Sequence, residues 1–258
     1  MKPVVDKLSV LGLIVALSAI AIGYHLEGGV IAALFNGPAL IIVLGGTLGA
    51  VMLQTSASTF KKMLRMSHWV FVTPSYDIDD AIEQVKRWSH KARQEGYLAL
   101  EDEALTHSDV YAAKGLSLLV DGGSEQKLRD TLEIDLLLER ERLLEAARVY
   151  EAMGGYSPTI GILGAVLGLI QAMSFITDPQ LLGAGVATAF IATIYGVGLA
   201  NLLFLPMANK LKQRVEEKML YHEMLAEGII AISDGQSPMN IELKLEAYRV
   251  ERPNLVDA

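Results

Sequence analysis

The sequence predicts an all-α membrane protein with four transmembrane helices, a large helical cytoplasmic loop between the second and third helices, and a helical cytoplasmic tail. Its 258 residues are 52% hydrophobic and their mean hydropathy is +0.35, which is high for a soluble globule of this length. Four uncharged runs are each long enough to cross roughly 30 Å of hydrocarbon at about 1.5 Å per residue. Nearly all of the charge lies outside these runs, and this separation favours membrane insertion.

The charge balance and the absence of cysteine exclude several classes of protein. With 30 acidic and 22 basic residues the formal net charge is -8, whereas nucleic-acid binding needs a concentrated cationic face. We therefore expect no nucleic-acid partner. The chain contains no cysteine, so it has no disulfide framework, thiolate zinc site or cysteine nucleophile.

The uncharged runs also define the predicted domains. Spans are expected at about residues 8–26, 37–60, 154–177 and 181–209. They divide the chain into a first transmembrane hairpin at 1–60, a cytoplasmic helical domain at 61–153, a second transmembrane hairpin at 154–209 and a cytoplasmic tail at 210–258.

The first run also resembles a secretory signal. Lys2 and Lys7 precede its apolar core, and residues 19–21 resemble a cleavage site. Residues 24–29, however, form a short turn into a second apolar run instead of the start of a soluble domain. An uncleaved helical hairpin therefore explains more of the sequence.

Basic residues near the span ends set the predicted orientation, because loops on the cytoplasmic side carry an excess of Lys and Arg. These residues are Lys2, Lys7, Lys61, Lys62, Arg65, Arg140, Arg142, Arg148, Lys210, Lys212 and Arg214. All of them map to one side, and the opposite connections, at about 24–36 and 177–182, contain no Lys or Arg. We expect both termini and the large loop to be cytoplasmic.

Helical periodicity begins early in the large loop. Asp77 or Ser75 is available as an N-cap, and a helix is expected to follow and to stop near Gly96. Its apolar face consists of Ile78, Ala81, Ile82, Val85 and Trp88.

Further helices are expected along the rest of the charged sequence. A second helix is predicted at about 108–120, before the turn signal at 121–123. A long helix is predicted from 124 to the glycine pair at 154–155, where it meets the membrane. The tail at 216–233 is compatible with an amphipathic helix.

Catalytic signatures are absent from the sequence. There is no Walker loop, no G-x-S-x-G, no H-E-x-x-H and no carboxylate cluster with metal spacing. The 5 histidines are scattered, and surface or interface positions are expected for them. We expect no enzymatic activity, no cofactor and no metal site.

Small residues recur at helical spacing in the last two spans, where they permit close approach of helices in lipid. In the third span they are Gly161, Gly164, Ala165, Gly168 and Ala172, and in the fourth they are Gly183, Ala184, Ala187, Thr188, Ala192, Gly196 and Ala200. Ordinary intramembrane packing accounts for most of these positions. The helix-packing role is assigned above all to Gly161, Gly164, Gly168 and Gly196.

Hydroxyls and prolines are the other notable side chains of these spans. Thr188, Thr193 and Tyr195 offer hydrogen bonds, but none of them exchanges a proton near neutral pH. A proton pathway would therefore need a carboxylate from another polypeptide. Pro158 and Pro206 are either ordinary helix-boundary or kink residues or, given their shared membrane level, hinges.

Several segments, which occur in the same order as in the family, resemble the MotA family of flagellar stator subunits. The resemblance is closest to the MotC type. The carrying segments are Gly154-Gly-Tyr-Ser-Pro158-Thr-Ile-Gly161, Gly164-Ala-Val-Leu-Gly168, Thr193-Ile-Tyr-Gly196-Val-Gly-Leu-Ala-Asn201, Ala92-Arg93-Gln-Glu-Gly96-Tyr-Leu-Ala-Leu-Glu101, Lys114-Gly-Leu-Ser-Leu-Leu-Val-Asp-Gly122 and Leu205-Pro206-Met-Ala-Asn-Lys210. The resemblance covers nearly the whole chain.

The resemblance implies a homopentamer around a dimer of MotB-type partners. Each partner's single-span helix carries the ion-binding aspartate, and its periplasmic domain grips peptidoglycan. Ion flow turns the ring against the rotor switch protein FliG, so the protein would sit in the bacterial inner membrane at the flagellar basal body. The family's rotor-contact residues fall on Arg93 and Glu101, and its functional prolines fall on Pro158 and Pro206. Without the resemblance, the two charged residues would read as a solvated pair.

One departure from the family's pattern bears on the ion. Sodium-driven members place a threonine in the third span where this sequence has Ala165, whereas the threonine expected in the fourth span is present as Thr193. Dehydrated sodium needs several oxygen ligands, so we favour protons and keep sodium as the alternative. With Thr188 and Tyr195, these residues form the predicted ion-pathway and partner-facing set.

Two other classes of protein compete with a stator. A TolQ or ExbB-type energiser of outer-membrane processes shares the pentamer-around-dimer plan but resembles a three-span chain. The extra N-terminal hairpin and the segment at 93–101 argue against it. A passive membrane scaffold would need only small-residue packing and no aspartate from a partner.

Overall fold

The computed structural model describes residues 4–73 and 76–250, without the side chains at the edges of these ranges. The chain forms two compact units. One takes its described residues from 75–141 and 215–258, and the other takes them from 2–74 and 142–214. Helices dominate both units, as the sequence predicts.

The second of these units carries the membrane-length helices. Among the described residues, four helices are long and apolar enough to cross a membrane: α1 (Lys7–Leu26), α2 (Gly37–Gln54), and the apolar parts of α7 (Glu125–Met173) and α8 (Pro179–Ser233). The Asp6 side chain caps α1 by accepting a hydrogen bond from the Ser9 backbone N–H. No residue of α1 is buried within the chain, as expected of a helix whose surroundings are lipid or another subunit.

The second span is shorter than the predicted run of 37–60. The α2 helix ends at Gln54, because Thr55 is extended and Ser56 caps a separate helix, α3 (Ala57–Met66). A π-helical turn at Ile41–Gly45 interrupts α2. The apolar run therefore combined a span with the start of an amphipathic helix, because hydropathy alone does not register an N-cap.

The last two spans also differ from the predicted boundaries. The α7 helix ends at Met173, before the turn that the sequence placed inside the third span. Asp178 caps α8, which starts at Pro179 and continues to Ser233 instead of stopping at 209. A π-helical turn at Ala200–Phe204 lies within α8.

A small element of sheet accompanies the helices. Strands β1 (Val4–Val5) and β2 (Val72–Thr73) pair antiparallel, with Val5 opposite Val72. A 3-10 helix at Ser67–Val70 joins α3 to β2. These two-residue strands fall below the length at which a sequence pattern is informative.

The other unit is a helical domain. It contains α4 (Ile78–Glu95), α5 (Glu101–Thr106), α6 (Val110–Val120), α9 (Pro238–Leu245), α10 (Ala247–Val250) and the adjoining parts of α7 and α8. Its core includes all five predicted apolar residues of α4, together with Leu116, Leu132, Leu225 and Ile229. Of the two possible N-caps, Asp77 accepts from the Asp80 N–H, and Ser75 lies outside the described residues. Gly96 ends α4 with a φ of 84°, a value that favours glycine.

Candidate functional site between the third and fourth spans

The third and fourth spans meet backbone to backbone at their glycines. A methyl group on Gly161 would lie 3.0 Å from the Ala192 carbonyl oxygen and 3.0 Å from Gly196 Cα. One on Gly168 would lie 2.9 Å from the Ala189 nitrogen. A methyl group at these distances would force the two backbones to shift, so glycine favours the close contact. Gly161 faces Ala192 and Gly196, whereas Gly168, later in α7, faces Ala189, earlier in α8. The two helices are therefore antiparallel.

The same contact continues to residues that the sequence analysis left out. A methyl group on Gly185 would lie 2.7 Å from Ala172 Cβ, whereas Gly183, which was on the predicted small-residue face, has nothing within 4 Å. Gly185 is in helical register with Ala189, Ala192 and Gly196. The helical spacing of the small residues from Gly185 to Gly196 was the sequence signal that would have identified Gly185.

Two of the predicted pathway hydroxyls hold the second span. Asn36, the N-cap of α2, donates from Nδ2 to Thr188 Oγ1 at 2.9 Å. The Tyr195 hydroxyl accepts from the Asn36 backbone N–H at 3.0 Å and donates to the Leu34 carbonyl at 2.5 Å. Thr188 and Tyr195 thus face α2, and their hydroxyls are engaged in positioning its start. Asn36 was not among the predicted site residues.

Ala165 and Thr193 lie together at the edge of the helix contact. Ala165 follows Gly161 by one helical turn, and Thr193 follows Ala189 by one helical turn, so each stands beside the buried stripe of its own helix. Because the helices are antiparallel, both residues fall on the same side of the contact. Each is partly exposed, and we call this pair the open rim. The Thr193 hydroxyl donates to the Ala189 carbonyl at 3.4 Å.

The opposite side of the contact is covered by the second span. A methyl group on Gly164 would lie 3.3 Å from Ile42 Cγ2, and one on Gly46 would lie 2.7 Å from Ile160 Cγ2. The contacts of Asn36 are on this side as well. The open rim is therefore the side of the contact that α2 does not cover.

The two prolines sit in different helical settings. Pro158 lies inside α7, whose 49 residues form one helix. Its Cα would lie 3.2 Å from a methyl group on Gly196, so Pro158 adjoins the glycine contact. Pro206 follows the π-helical turn of α8 directly and is exposed. Since proline has no N–H to donate, a widened turn before Pro206 is the expected local response.

An ion cluster anchors the start of the first span. Lys210 Nζ lies 2.5 Å and an Arg214 guanidinium nitrogen lies 2.8 Å from Asp6 Oδ2. Burial raises the pKa of this carboxyl, but hydrogen bonds from Lys210 and the Ser9 N–H, together with the two positive charges, lower it overall. Lys210 and Arg214 were predicted only as topology markers, and their pairing with Asp6 was not predicted.

In the helical domain, the predicted rotor-contact residues lie on either side of the Gly96 turn. Arg93 is in the last turn of α4, and Glu101 begins α5 after a 3-10 helix at Tyr97–Leu100. Both side chains are exposed, and within the described residues neither takes part in an ion pair. Their charges are thus available to a partner.

One histidine is buried, contrary to the expected surface or interface position. His222 is 3% exposed, stacks on Tyr111 with 4.7 Å between ring centroids, and lies 3.2 Å from Asp109 Oδ2. Burial raises the pKa of Asp109, but the hydrogen bond and charge of His222 and two backbone N–H donors bring it down to about 2. Stacking between side chains distant in sequence gives no sequence signal.

Four apolar helices of membrane length, with a glycine-packed pair and an open rim, define a multi-pass membrane protein suited to pair with another helix. Residues 103–224 match the profile of the MotA/TolQ/ExbB proton channel family, and residues 10–96 match that of the motility protein A N-terminal region. The chain belongs to the MotA family of motility proteins, within this wider group of proton channels.

Individual relatives cover nearly the whole chain. Motility protein A of Bacillus subtilis (strain 168) is 34% identical over 94% of this chain and 90% of its own length. Chemotaxis protein PomA of Vibrio alginolyticus is 30% identical over 94% of this chain and 95% of its own length.

Two solved structures share the fold. That of C. jejuni MotAB superposes with a TM-score of 0.89 at 28% identity, covering 98% of this chain and 100% of the other. The flagellar MotAB stator complex from Bacillus subtilis gives a TM-score of 0.84 at 34% identity, covering 94% of this chain and 96% of the other.

Proposed function

We propose that this chain is the flagellar stator subunit that forms an ion channel with a MotB-type partner and converts proton flow across the membrane into torque on the rotor. The observation that carries the proposal is its match to MotAB stator complexes over nearly its full length. The match of residues 10–96 to motility protein A supports this function over that of a TolQ or ExbB-type energiser. In this function the chain catalyses no bond-making or bond-breaking.

The partner supplies the proton-carrying group. The uncharged runs of the spans contain no Asp, Glu, Lys or Arg, so a carboxylate near the middle of the membrane comes from a second polypeptide. The open rim is where that helix approaches, because the other side of the contact is filled by α2. We infer five copies of this chain around a partner dimer that is fixed to peptidoglycan.

Protons, not sodium ions, are the proposed coupling ion. Thr193 supplies one hydroxyl to the open rim, and Ala165 presents a methyl group beside it. Sodium that has lost its water needs several oxygen ligands, whereas a proton needs the partner's carboxylate and water. Thr188 and Tyr195, held by Asn36 and Leu34, position α2 in this proposal instead of lining the pathway.

The remaining assignments follow the family's plan. Protonation of the partner's aspartate removes a charge from low-dielectric surroundings, which changes its contacts with this subunit in each cycle. Pro158 and Pro206 allow α7 and α8 to respond. Arg93 and Glu101 contact the rotor switch protein FliG. The protein lies in the inner membrane with both termini in the cytoplasm.

The ion assignment is tested by swimming speed in a strain whose stators contain only this chain and its partner. We expect the speed to fall with a protonophore and to stay nearly constant when sodium is replaced by potassium at fixed pH. A speed that follows external sodium and ignores the protonophore would overturn the choice of ion. Swimming that ignores both treatments would contradict an ion-driven role and favour a scaffold.

A substitution at the open rim tests its place in the pathway. Ala165→Thr adds a β-branched hydroxyl beside Thr193, so we expect slower proton-driven swimming or a new dependence on sodium. Ala187→Thr makes the same chemical change at an exposed position of α8 and serves as the matched control. Equal speeds for the two variants would remove Ala165 from the pathway.

A further inference from the structure

The α3 helix joins the end of a span to the rest of the chain and has an uneven distribution of charge. It contains Lys61, Lys62 and Arg65, and the segment at 55–73 contains no acidic residue. The chain as a whole carries a formal charge of -8, so this segment stands out against its background. A local excess of positive charge in an acidic protein indicates an anionic partner.

The position of α3 is fixed at the membrane boundary. The α2 span ends at Gln54, and Ser56 begins α3 by accepting a hydrogen bond from the Thr59 N–H at 3.2 Å. At the end of the span, Leu53 is 91% exposed within the chain, as expected of a side chain in contact with lipid. The break at Thr55 separates α3 from the span by a single extended residue before the Ser56 N-cap.

Contacts within the chain fix which face of α3 is free. Met63 and Met66 are buried, and the Ser67 hydroxyl lies 3.0 Å from the Met63 carbonyl, to which it donates, and 2.5 Å from the Tyr150 hydroxyl. These contacts hold one side of the helix against α7. Lys61 and Arg65 are exposed on the other side.

The cations of α3 have no carboxylate partner among the described residues. Lys61, Lys62 and Arg65 appear in no ion pair there. Asp6, whose N–H donates to the Phe71 carbonyl of the same segment, already pairs with Lys210 and Arg214. Leu64, which is 57% exposed, lies at the edge of this cationic face.

We propose that α3 lies in the membrane interface and that Lys61, Lys62 and Arg65 bind the headgroup phosphates of anionic phospholipids. A cationic free face with an apolar residue at its edge, on an amphipathic helix, matches a surface of phosphates and acyl chains. Trp69, half-buried in the following turn, suits the same interface, where tryptophan is enriched. The inference requires only that the helices span a membrane and is independent of torque generation.

Trp69 makes the proposal directly measurable. The chain has 2 Trp, and the other, Trp88, is 2% exposed in the core of the helical domain. In nanodiscs of phosphatidylcholine with a fixed fraction of phosphatidylglycerol, bromine is placed on the acyl chains of one lipid or the other. Excess quenching of Trp69 by brominated phosphatidylglycerol reports local enrichment of the anionic lipid.

At low salt, each cation that contacts an anionic headgroup is expected to enrich the anionic lipid about fivefold. The enrichment should fall with added salt. The triple variant Lys61→Gln, Lys62→Gln, Arg65→Gln should lose it, and the charge-keeping variant Lys61→Arg, Lys62→Arg, Arg65→Lys should retain it. A control with the same change of net charge in the helical domain, Arg87→Gln, Lys114→Gln, Lys127→Gln, should also retain it.

Two results would overturn the proposal. In the unaltered protein, quenching by each brominated lipid in proportion to its mole fraction would show no preference for anionic headgroups and would leave the cations to an acidic protein surface. A preference that survives in the triple Gln variant would place the lipid contact elsewhere.

Discussion

At the scale of single residues, Gly196 has little room at the contact between the last two spans. A methyl group there would lie 2.7 Å from the Ser157 carbonyl oxygen and 2.9 Å from Gly161 Cα. Backbone cannot give way as the end of a flexible side chain does. We expect Gly196→Ala to force the helices apart at a cost of about 1–3 kcal/mol, as overpacking generally does.

The neighbouring Gly198 provides a matched control for this prediction, because nothing lies within 4 Å of a methyl group built on it. Thermal unfolding of the purified complex should show a lower Tm for Gly196→Ala and an unchanged Tm for Gly198→Ala. If both variants unfold at the temperature of the unaltered protein, the backbone contact does not stabilise the helix pair.

The partly buried Asp109 predicts a pH dependence of the helical domain. Its pKa is about 2, below the ordinary 3.8, so its contribution is present above about pH 4 and is lost as the pH falls towards 2. The shift corresponds to about 2 kcal/mol. Amide exchange of Val110–Val120, corrected for intrinsic rates, should therefore quicken over this range.

Two variants separate this effect from general acid unfolding. Asp109→Asn keeps a capping oxygen but loses the charge, so the acid-dependent part of the exchange should flatten. Asp121→Asn neutralises an exposed aspartate at the other end of α6 and should leave the pH profile unchanged. A profile that is the same in Asp109→Asn as in the unaltered chain would remove the pair of Asp109 and His222 as its origin.

Individual residues were predictable where local spacing determines them. Asp77 as an N-cap and the buried face of α4 follow from periodicity along one helix. The engagement of Thr188 by Asn36 and the stacking of His222 on Tyr111 depend on partners far apart in sequence. One sequence contains no pattern from which such pairs can be read.

At the scale of elements, the helix boundaries show where local signals lose to tertiary packing. The glycine pair at 154–155 and Pro158 would normally end a helix, yet α7 runs through them. Packing supplies a reason at Gly154, where a methyl group would lie 2.5 Å from a Leu205 side-chain carbon. Likewise, α8 passes Pro206 by way of a π-helical turn. The short α5 helix gave no periodic signal and was not predicted.

The predicted rotor-contact residues, Arg93 and Glu101, lie on either side of the turn between α4 and α5. Exposed ion pairs are each worth about 0–1 kcal/mol, so neutralising Arg93 or Glu101 alone should slow swimming only slightly. Reversal to Arg93→Glu or Glu101→Lys adds repulsion and should impair it strongly. An opposite reversal on the rotor protein should restore part of the speed.

Arg87→Glu is the control for these reversals, because Arg87 is another exposed cation on the same helix. Its swimming speed should match that of the unaltered strain. Wild-type swimming by the double variant Arg93→Glu, Glu101→Lys without any rotor change would exclude both residues from the torque path.

At the scale of the whole molecule, the family and the four membrane helices were predictable because hydropathy and motif order extend along the entire chain. The orientation in the membrane is a separate prediction from the flanking basic residues. The chain has no cysteine, so an introduced one is the sole thiol. Leu105, Met239 and Phe35 are exposed by 75%, 71% and 81%, respectively, and are suitable sites.

In intact spheroplasts, a membrane-impermeant thiol reagent should label Phe35→Cys and leave Leu105→Cys and Met239→Cys unlabelled. Permeabilising the inner membrane should expose the latter two. Labelling of Leu105→Cys or Met239→Cys from outside would reverse the proposed topology.

The exposed first span and the glycine-packed third span tolerate different amino-acid substitutions. No residue of α1 is buried within the chain, so its apolar side chains stay at least partly exposed there and one can replace another while hydropathy is kept. The third span meets the backbone of the fourth at Gly161 and Gly168, where an added methyl group would lie 3.0 Å and 2.9 Å, respectively, from the nearest backbone atom. Two helices of the same membrane protein are therefore under different kinds of selection, one on composition and the other on shape.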